Sequence, residues 1–148
     1  PAKGLVSAIT GEVPIEEVAF RSAELGADVI KGEQSTTNAA DIFSSDKFRD
    51  FCTRLRDAYD YIVIDTPPVL VVPDARIIAQ NTDALIFAVR WDKTSHAQVA
   101  EALRMFDSTG QKITGMVLTQ VNPRGMRRYG YGNKYGAYAA YGAKYYHN

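Results

Sequence analysis

The sequence predicts an α/β fold in three layers, a parallel sheet with helices flanking it, and three observations carry that expectation. First, the apolar runs at 61–65 (YIVID), 85–89 (LIFAV) and 113–121 (ITGMVLTQV) are strand-sized and rich in β-branched residues. Strands covered on both faces need no polar alternation, so runs of this kind belong to parallel sheets. Second, helical patterns separate them, and strand–helix–strand order means crossover connections. Third, composition changes at Arg124, dividing a body at 1–123 from a tail at 124–148.

The elements follow in order. Residues 4–11 read as a short helix with Leu5, Ala8 and Ile9 on one face, and 15–18 with Phe20 as a further helical or loop segment. Residues 27–30 are a weaker strand candidate, and 31–38 (KGEQSTTN) form a polar surface loop. Phe48, Phe51, Cys52 and Leu55 recur at i, i+3, i+4 and i+7, which predicts an amphipathic helix over about 45–58. Residues 74–80 predict another short helix. Thr94 or Ser95 can cap a helix whose inward face is Val99, Leu103 and Phe106, and Gly110 stops it.

The body contains enough Val, Ile, Leu and Phe for one core. No run approaches the ~20 apolar residues that cross a bilayer, and no signal peptide is visible. Cys52 is the only cysteine, so no intrachain disulfide forms, and its setting between Phe51 and Leu55 predicts a small buried residue. His96 and His147 lack ligand spacing, which argues against zinc. A reducing, cytoplasmic setting fits. The chain opens on Pro1, and the expectation is a piece of a longer protein.

Of the nine tyrosines, Tyr129, Tyr131, Tyr135, Tyr138, Tyr141, Tyr145 and Tyr146 lie in the tail, separated mainly by Gly, Ala, Lys and Arg. No aliphatic residues lie between them to pack on, and the glycines raise the entropy cost of ordering the backbone. The reading is a flexible tail that displays phenols, each a phosphoryl acceptor. From Arg124 the tail holds five basic and no acidic residues, +5, while the body is −5; the chain's net charge of zero hides this. A basic aromatic tail also suits single-stranded nucleic acid, but the cations are few and no folded stacking platform accompanies them, so nucleic acid is not the expected partner.

In open parallel sheets, chemistry sits past the carboxyl ends of the strands. Those ends are Asp65-Thr66-Pro67-Pro68, Arg90-Trp91-Asp92, and Thr119 to Asn122. A carboxylate at such a tip can hold a water of a Mg²⁺ shell that bridges nucleotide phosphates, and the two prolines fix the backbone that carries Asp65. A plain strand-ending Asp at a turn is the alternative. Asp74 has two readings, a bond within this loop or a helix cap. Arg76, on the helix after Asp74, reads as a solvated charge.

Body and tail together resemble the carboxyl-terminal part of the cytoplasmic kinase domain of bacterial tyrosine kinases, P-loop autokinases of exopolysaccharide and capsule assembly. The residues that carry the likeness are Gly4-Leu5 to Gly11, the helix from Phe48 to its end before Tyr61, Asp65-Thr66-Pro67-Pro68, which is similar to the family's Walker B motif, and the terminal tyrosines. The resemblance implies a P-loop-like domain, ATP and Mg²⁺ as cofactors, and Asp65 as the catalytic acidic residue, holding Mg²⁺ through water. Thr66 and Pro67 would line the nucleotide site. It further implies homo-oligomers that phosphorylate the tail tyrosines in trans, the polysaccharide export machinery as a partner, and a membrane-spanning activator segment upstream or on a separate chain. The domain would be cytoplasmic and associated with the inner membrane. The sequence departs from the family in two places. No G-x-x-x-x-G-K-[ST] occurs, so the isolated chain is expected to be inactive. After the third strand it reads Leu118-Thr119-Gln120 and then Asn122, leaving Thr119 or Asn122 for the base contact.

Two other functions compete. A partition or septum-positioning ATPase shares the Walker B strand but has no use for the tyrosine tail. A non-catalytic phosphoacceptor or adaptor would keep the tail without a phosphate-binding loop elsewhere in the protein.

Overall fold

The computed structural model describes residues 3–126. Helix α1 (Leu5–Thr10) opens the described chain and ends at Gly11, whose φ of 82° is the left-handed conformation glycine adopts without strain. Gly4, ahead of it, is required by close approach: a Cβ there would stand 2.7 Å from the Lys31 carbonyl oxygen. Helix α2 (Ile15–Val18) leads into strand β1 (Ala19–Ser22), which pairs antiparallel with β2 (Ala27–Ile30) from Ala19↔Ile30 to Ser22↔Ala27. The sequence reading anticipated β2 but missed the hairpin. Its signal was the Leu25-Gly26 turn, where Gly26 takes φ 62° and its N–H donates to Ser22 O at 2.9 Å.

Helix α3 (Ala39–Phe43) starts where the polar loop ends, with Asn38 Oδ1 accepting from the Ala40 N–H. Helix α4 (Asp46–Ala58) has Ser45 as its N-cap and buries Phe48, Phe51, Cys52 and Leu55, the four residues its periodicity selects. Burial pushes the Cys52 thiol up from its ordinary range. Helix α5 (Asp74–Ala79) precedes strand β3 (Ile86–Arg90), helix α6 (His96–Asp107), strand β4 (Gly115–Thr119) and a final turn, α7 (Pro123–Met126). Strands β3 and β4 run parallel, in register from Ile86↔Gly115 to Arg90↔Thr119, with α6 as the crossover. Ser95 caps α6 in a reciprocal box: its Oγ accepts from Gln98 N–H at 3.2 Å and Gln98 Oε1 accepts from Ser95 N–H at 2.8 Å.

Two hydrophobic cores result. The first joins α1, α3, α4 and α5 through Ala8, Ile9, Ile42, Phe48, Phe51, Cys52, Leu55 and Ile78, with Ile64 packed at its margin. The second is smaller: Val69, Ala75, Ala102 and Phe106, flanked by Leu85, Phe87 and Ile113. Helix α5 links them, giving Ile78 to one and Ala75 to the other.

Three expectations are corrected. Residues 61–65 pair with no strand among the described residues, so the parallel sheet there has two strands instead of three. The apolar run assumed cover on both faces, but Tyr61 and Val63 are each 92% exposed, and only Ile64 packs inward. Strands β3 and β4 are likewise not buried throughout: β3 alternates between exposed and half-buried residues, and in β4 Met116, Val117 and Leu118 are all exposed. In α6 the inward residues are Ala102 and Phe106, whereas Leu103 turns to solvent.

Candidate functional site

Asp65 lies in an extended segment tied at both ends: Ile64 packs on the first core and Val69 is buried in the second. Beyond the prolines the chain turns, with the N–H groups of Val71 and Val72 donating to Pro68 O at 2.9 and 3.4 Å. Asp65 is thus held by its flanks although it ends no paired strand. Its carboxylate is exposed and has no hydrogen-bond or ion-pair partner among the described residues, while Thr66 beside it is half-buried and Pro67 exposed. A free carboxylate on a tethered backbone can accept from the hydration shell of a cation. No cluster of three acidic, His or Cys side chains stands around it among the described residues. Asp74 opens α5 without a side-chain cap bond, where its charge favours the helix N-terminus.

The carboxyl ends of β3 and β4 are better defined. Arg90 pairs with Thr119, and the ladder continues one step as Trp91 N–H donates to Thr119 O at 3.0 Å. Thr119 Oγ1 donates to Val89 O at 3.4 Å. Both strands then leave through left-handed residues, Asp92 with φ 56° and Gln120 with φ 53°. Asn122 Oδ1 accepts from the N–H groups of Arg124 and Gly125 at 3.0 and 3.4 Å, so its side-chain carbonyl caps α7. The Trp91 ring lies against Gly125.

Thr119 and Asn122 therefore come together at one sheet edge, and no hydrogen bond joins either to the Asp65 segment among the described residues. Arg76 is not the plain solvated charge its sequence suggests: it is half-buried, its Nε is buried without a partner among the described residues, and its carbonyl accepts from Gln111 Nε2 at 2.7 Å. The seven tail tyrosines lie outside the described residues.

Sequence reasoning passed over Glu33 as part of a loop. Its carboxylate accepts from the N–H groups of Gly4 and Ser7 at 2.9 and 2.7 Å and from Ser7 Oγ at 2.7 Å, closing the start of α1. These bonds, from the Ser7 backbone and hydroxyl first, hold its pKa below the usual carboxylate range. The polar composition of 31–38 gave no sign of this bond, because the spacing between Glu33 and Ser7 fits no local motif.

No family model matches the chain. Among curated proteins it is 32% identical over 118 residues to the tyrosine-protein kinase ptk of Acinetobacter johnsonii, a match covering 80% of this chain and 16% of that protein. It is 28% identical over 130 residues to the tyrosine-protein kinase wzc of Salmonella typhi, covering 86% of this chain and 18% of the relative. Among solved structures, the VpsO kinase domain superposes with a TM-score of 0.74 at 29% identity, covering 80% of this chain and 59% of that one. The chain is a homologue of part of the kinase domain of bacterial tyrosine kinases. The kinase domain of the Escherichia coli tyrosine kinase ETK shares the fold, with a TM-score of 0.70 at 24% identity. The bacterial tyrosine kinases matched are much longer, and the chain spans under a fifth of their length, 16% and 18% for the two named. Among the described residues no helix is long and apolar enough to cross a membrane.

Proposed function

We propose that this chain is the carboxyl-terminal part of an ATP-dependent protein-tyrosine autokinase that acts in exopolysaccharide or capsule assembly. One observation carries the reading: a chain similar in sequence to tyrosine-protein kinases over most of its length ends in a basic, tyrosine-rich tail. Residues 1–123 would form part of the kinase domain and 124–148 its acceptor segment. Asp65 would hold a water of the Mg²⁺ shell, Thr66 and Pro67 would line the nucleotide, and Thr119 or the Asn122 amide would meet the base. The phosphate-binding loop would come from residues outside this sequence, so the chain alone is not expected to turn over ATP. The exposed apolar residues of 61–63 and β4 fit this reading, since a parallel sheet needs cover on both faces.

Phosphoryl transfer takes the tyrosine Oη to the γ-phosphorus as the bond to the β–γ bridging oxygen breaks. ADP leaves with that electron pair and the phenol proton passes to solvent. Each phosphate adds roughly −1.5 to −2 of charge. Full modification would carry the tail from +5 to about −5 to −9 and release it from the −5 body of a neighbouring copy. Such a kinase would sit at the cytoplasmic face of the inner membrane beside an activator and the export machinery.

The test is to incubate the complete protein with Mg-ATP and map phosphate by mass spectrometry, with light scattering before and after. Phosphotyrosine in the tail and a smaller assembly after modification are expected. Phosphate confined to Ser or Thr would contradict the autokinase, and an unchanged assembly would contradict tail docking.

A further inference from the structure

The contact between Trp91 and Gly125 joins the two strand exits just before the tyrosine tail begins. A Cβ at Gly125 would stand 2.4 Å from Trp91 Cη2 and 3.3 Å from Cζ2 and Cζ3, so the far edge of the indole presses on bare backbone. Each half of the contact is held independently. Trp91 is tied to β4 by its N–H bond to Thr119 O at 3.0 Å. Gly125 is tied by the Asn122 cap at 3.4 Å, and the turn is closed by Met126 N–H on Asn122 O at 3.0 Å. The flanking left-handed residues, Asp92 and Gln120, are not glycines, and such positions persist only where surrounding structure fixes them.

We propose that Trp91 and Gly125 form a clasp that sets where the acceptor tail leaves the domain, at the carboxyl edge of the β3–β4 sheet, and so positions its nearest tyrosines for phosphorylation. The proposal rests on the autokinase reading above. Its consequence is a gradient along the tail. An extended chain spans at most ~3.3–3.6 Å per residue, so Tyr129, four residues past Gly125, stays within about 14 Å of the clasp. Tyr146, twenty-one residues past it, reaches about 70–75 Å. A fixed departure point therefore governs Tyr129 and Tyr131 strongly and Tyr145 and Tyr146 hardly at all. Trp91 and Gly125 are positioning residues and need touch neither nucleotide nor acceptor.

The experiment compares the complete kinase with Gly125→Ala, Trp91→Ala and the double variant, reading phosphate at each tail tyrosine together with phosphorylation of an added poly(Glu,Tyr) substrate. Gly125→Ala should lower the rate at Tyr129 and Tyr131 on the order of tenfold, with Tyr145, Tyr146 and the added substrate within about twofold. Trp91→Ala should give the same pattern, and the double variant should be no worse than either single one, because all three break one contact. A red-shifted, more readily quenched emission in Gly125→Ala that is absent when Trp91 is also replaced by Phe would report the opened clasp directly. A uniform loss across all tyrosines and the added substrate, additive single effects, or unchanged emission would overturn the clasp. A wild-type kinase with no tail phosphotyrosine would instead overturn the autokinase reading, and the clasp's role with it.

Discussion

The α4 core is built on a mostly polar helix with one apolar stripe and the β3–β4 sheet on nearly continuous apolar runs, yet the first is closed and the second half open. Helix α4 meets α1, α3 and α5, and Phe48, Phe51, Cys52 and Leu55 are all buried. Of the sheet only Phe87 packs against the second core, while Ile86, Met116, Val117 and Leu118 remain exposed. An amphipathic helix needs one partner surface for its single stripe, and this chain supplies it. A parallel strand needs cover on two faces and a neighbour on each edge, and the described residues supply roughly half of that. Stability should therefore be unevenly distributed between the two regions.

The sharpest way to break this comparison is a pair of substitutions. Phe48→Ala should cost about 3–5 kcal/mol, as expected for a buried ring whose surroundings cannot fully collapse. Val117→Thr on the open face should stay within about 0.5 kcal/mol. Urea melts of the two variants measure both, and comparable losses would mean the sheet face is covered in solution. Next in size is Ser95→Ala, which removes one side of the capping box on α6 and should cost about 1 kcal/mol. Thermal unfolding followed by circular dichroism would show it.

The smallest effect is one of pH, on the first region only. Glu33 has its pKa lowered by bonds from Ser7 and Gly4, so the folded state favours the carboxylate more than the unfolded state does. Its contribution is fully present above the ordinary glutamate pKa of about 4.3 and is lost as pH falls through the lower, folded value. Glu33→Gln should be less stable than wild type at neutral pH, and the two should converge in acid. A gap that widens on acidification would contradict the Ser7–Glu33 assignment.

The same contrast explains what the sequence revealed. Helix α4, a cap at Thr94 or Ser95 and the parallel crossover were legible because each is set by local sequence: a 3.6-residue stripe, a hydroxyl residue just before a helical pattern, an apolar run on either side of a helix. The failures were non-local. Whether 61–65 pairs as a strand depends on a neighbouring strand, which no property of YIVID can report. Leu103 and Ala102 share a helix, and which of them turns inward depends on where Val69 and Ala75 lie. The Glu33 bond and the Trp91–Gly125 contact join residues 26 and 34 positions apart. The candidate site divides the same way: Asp65 stood out by its motif, while the capping use of the Asn122 carbonyl required the geometry of α7.

The central claim is that Asp65 serves phosphoryl transfer to the tail, and one substitution tests it most directly. Asp65→Asn keeps the shape of the segment held between Ile64 and Val69 and removes only the charge. In the complete kinase, initial rates of tail tyrosine phosphorylation with Mg-ATP should fall on the order of a hundredfold or more, with the urea midpoint unchanged. A variant that phosphorylates its tail at the wild-type rate would contradict the account.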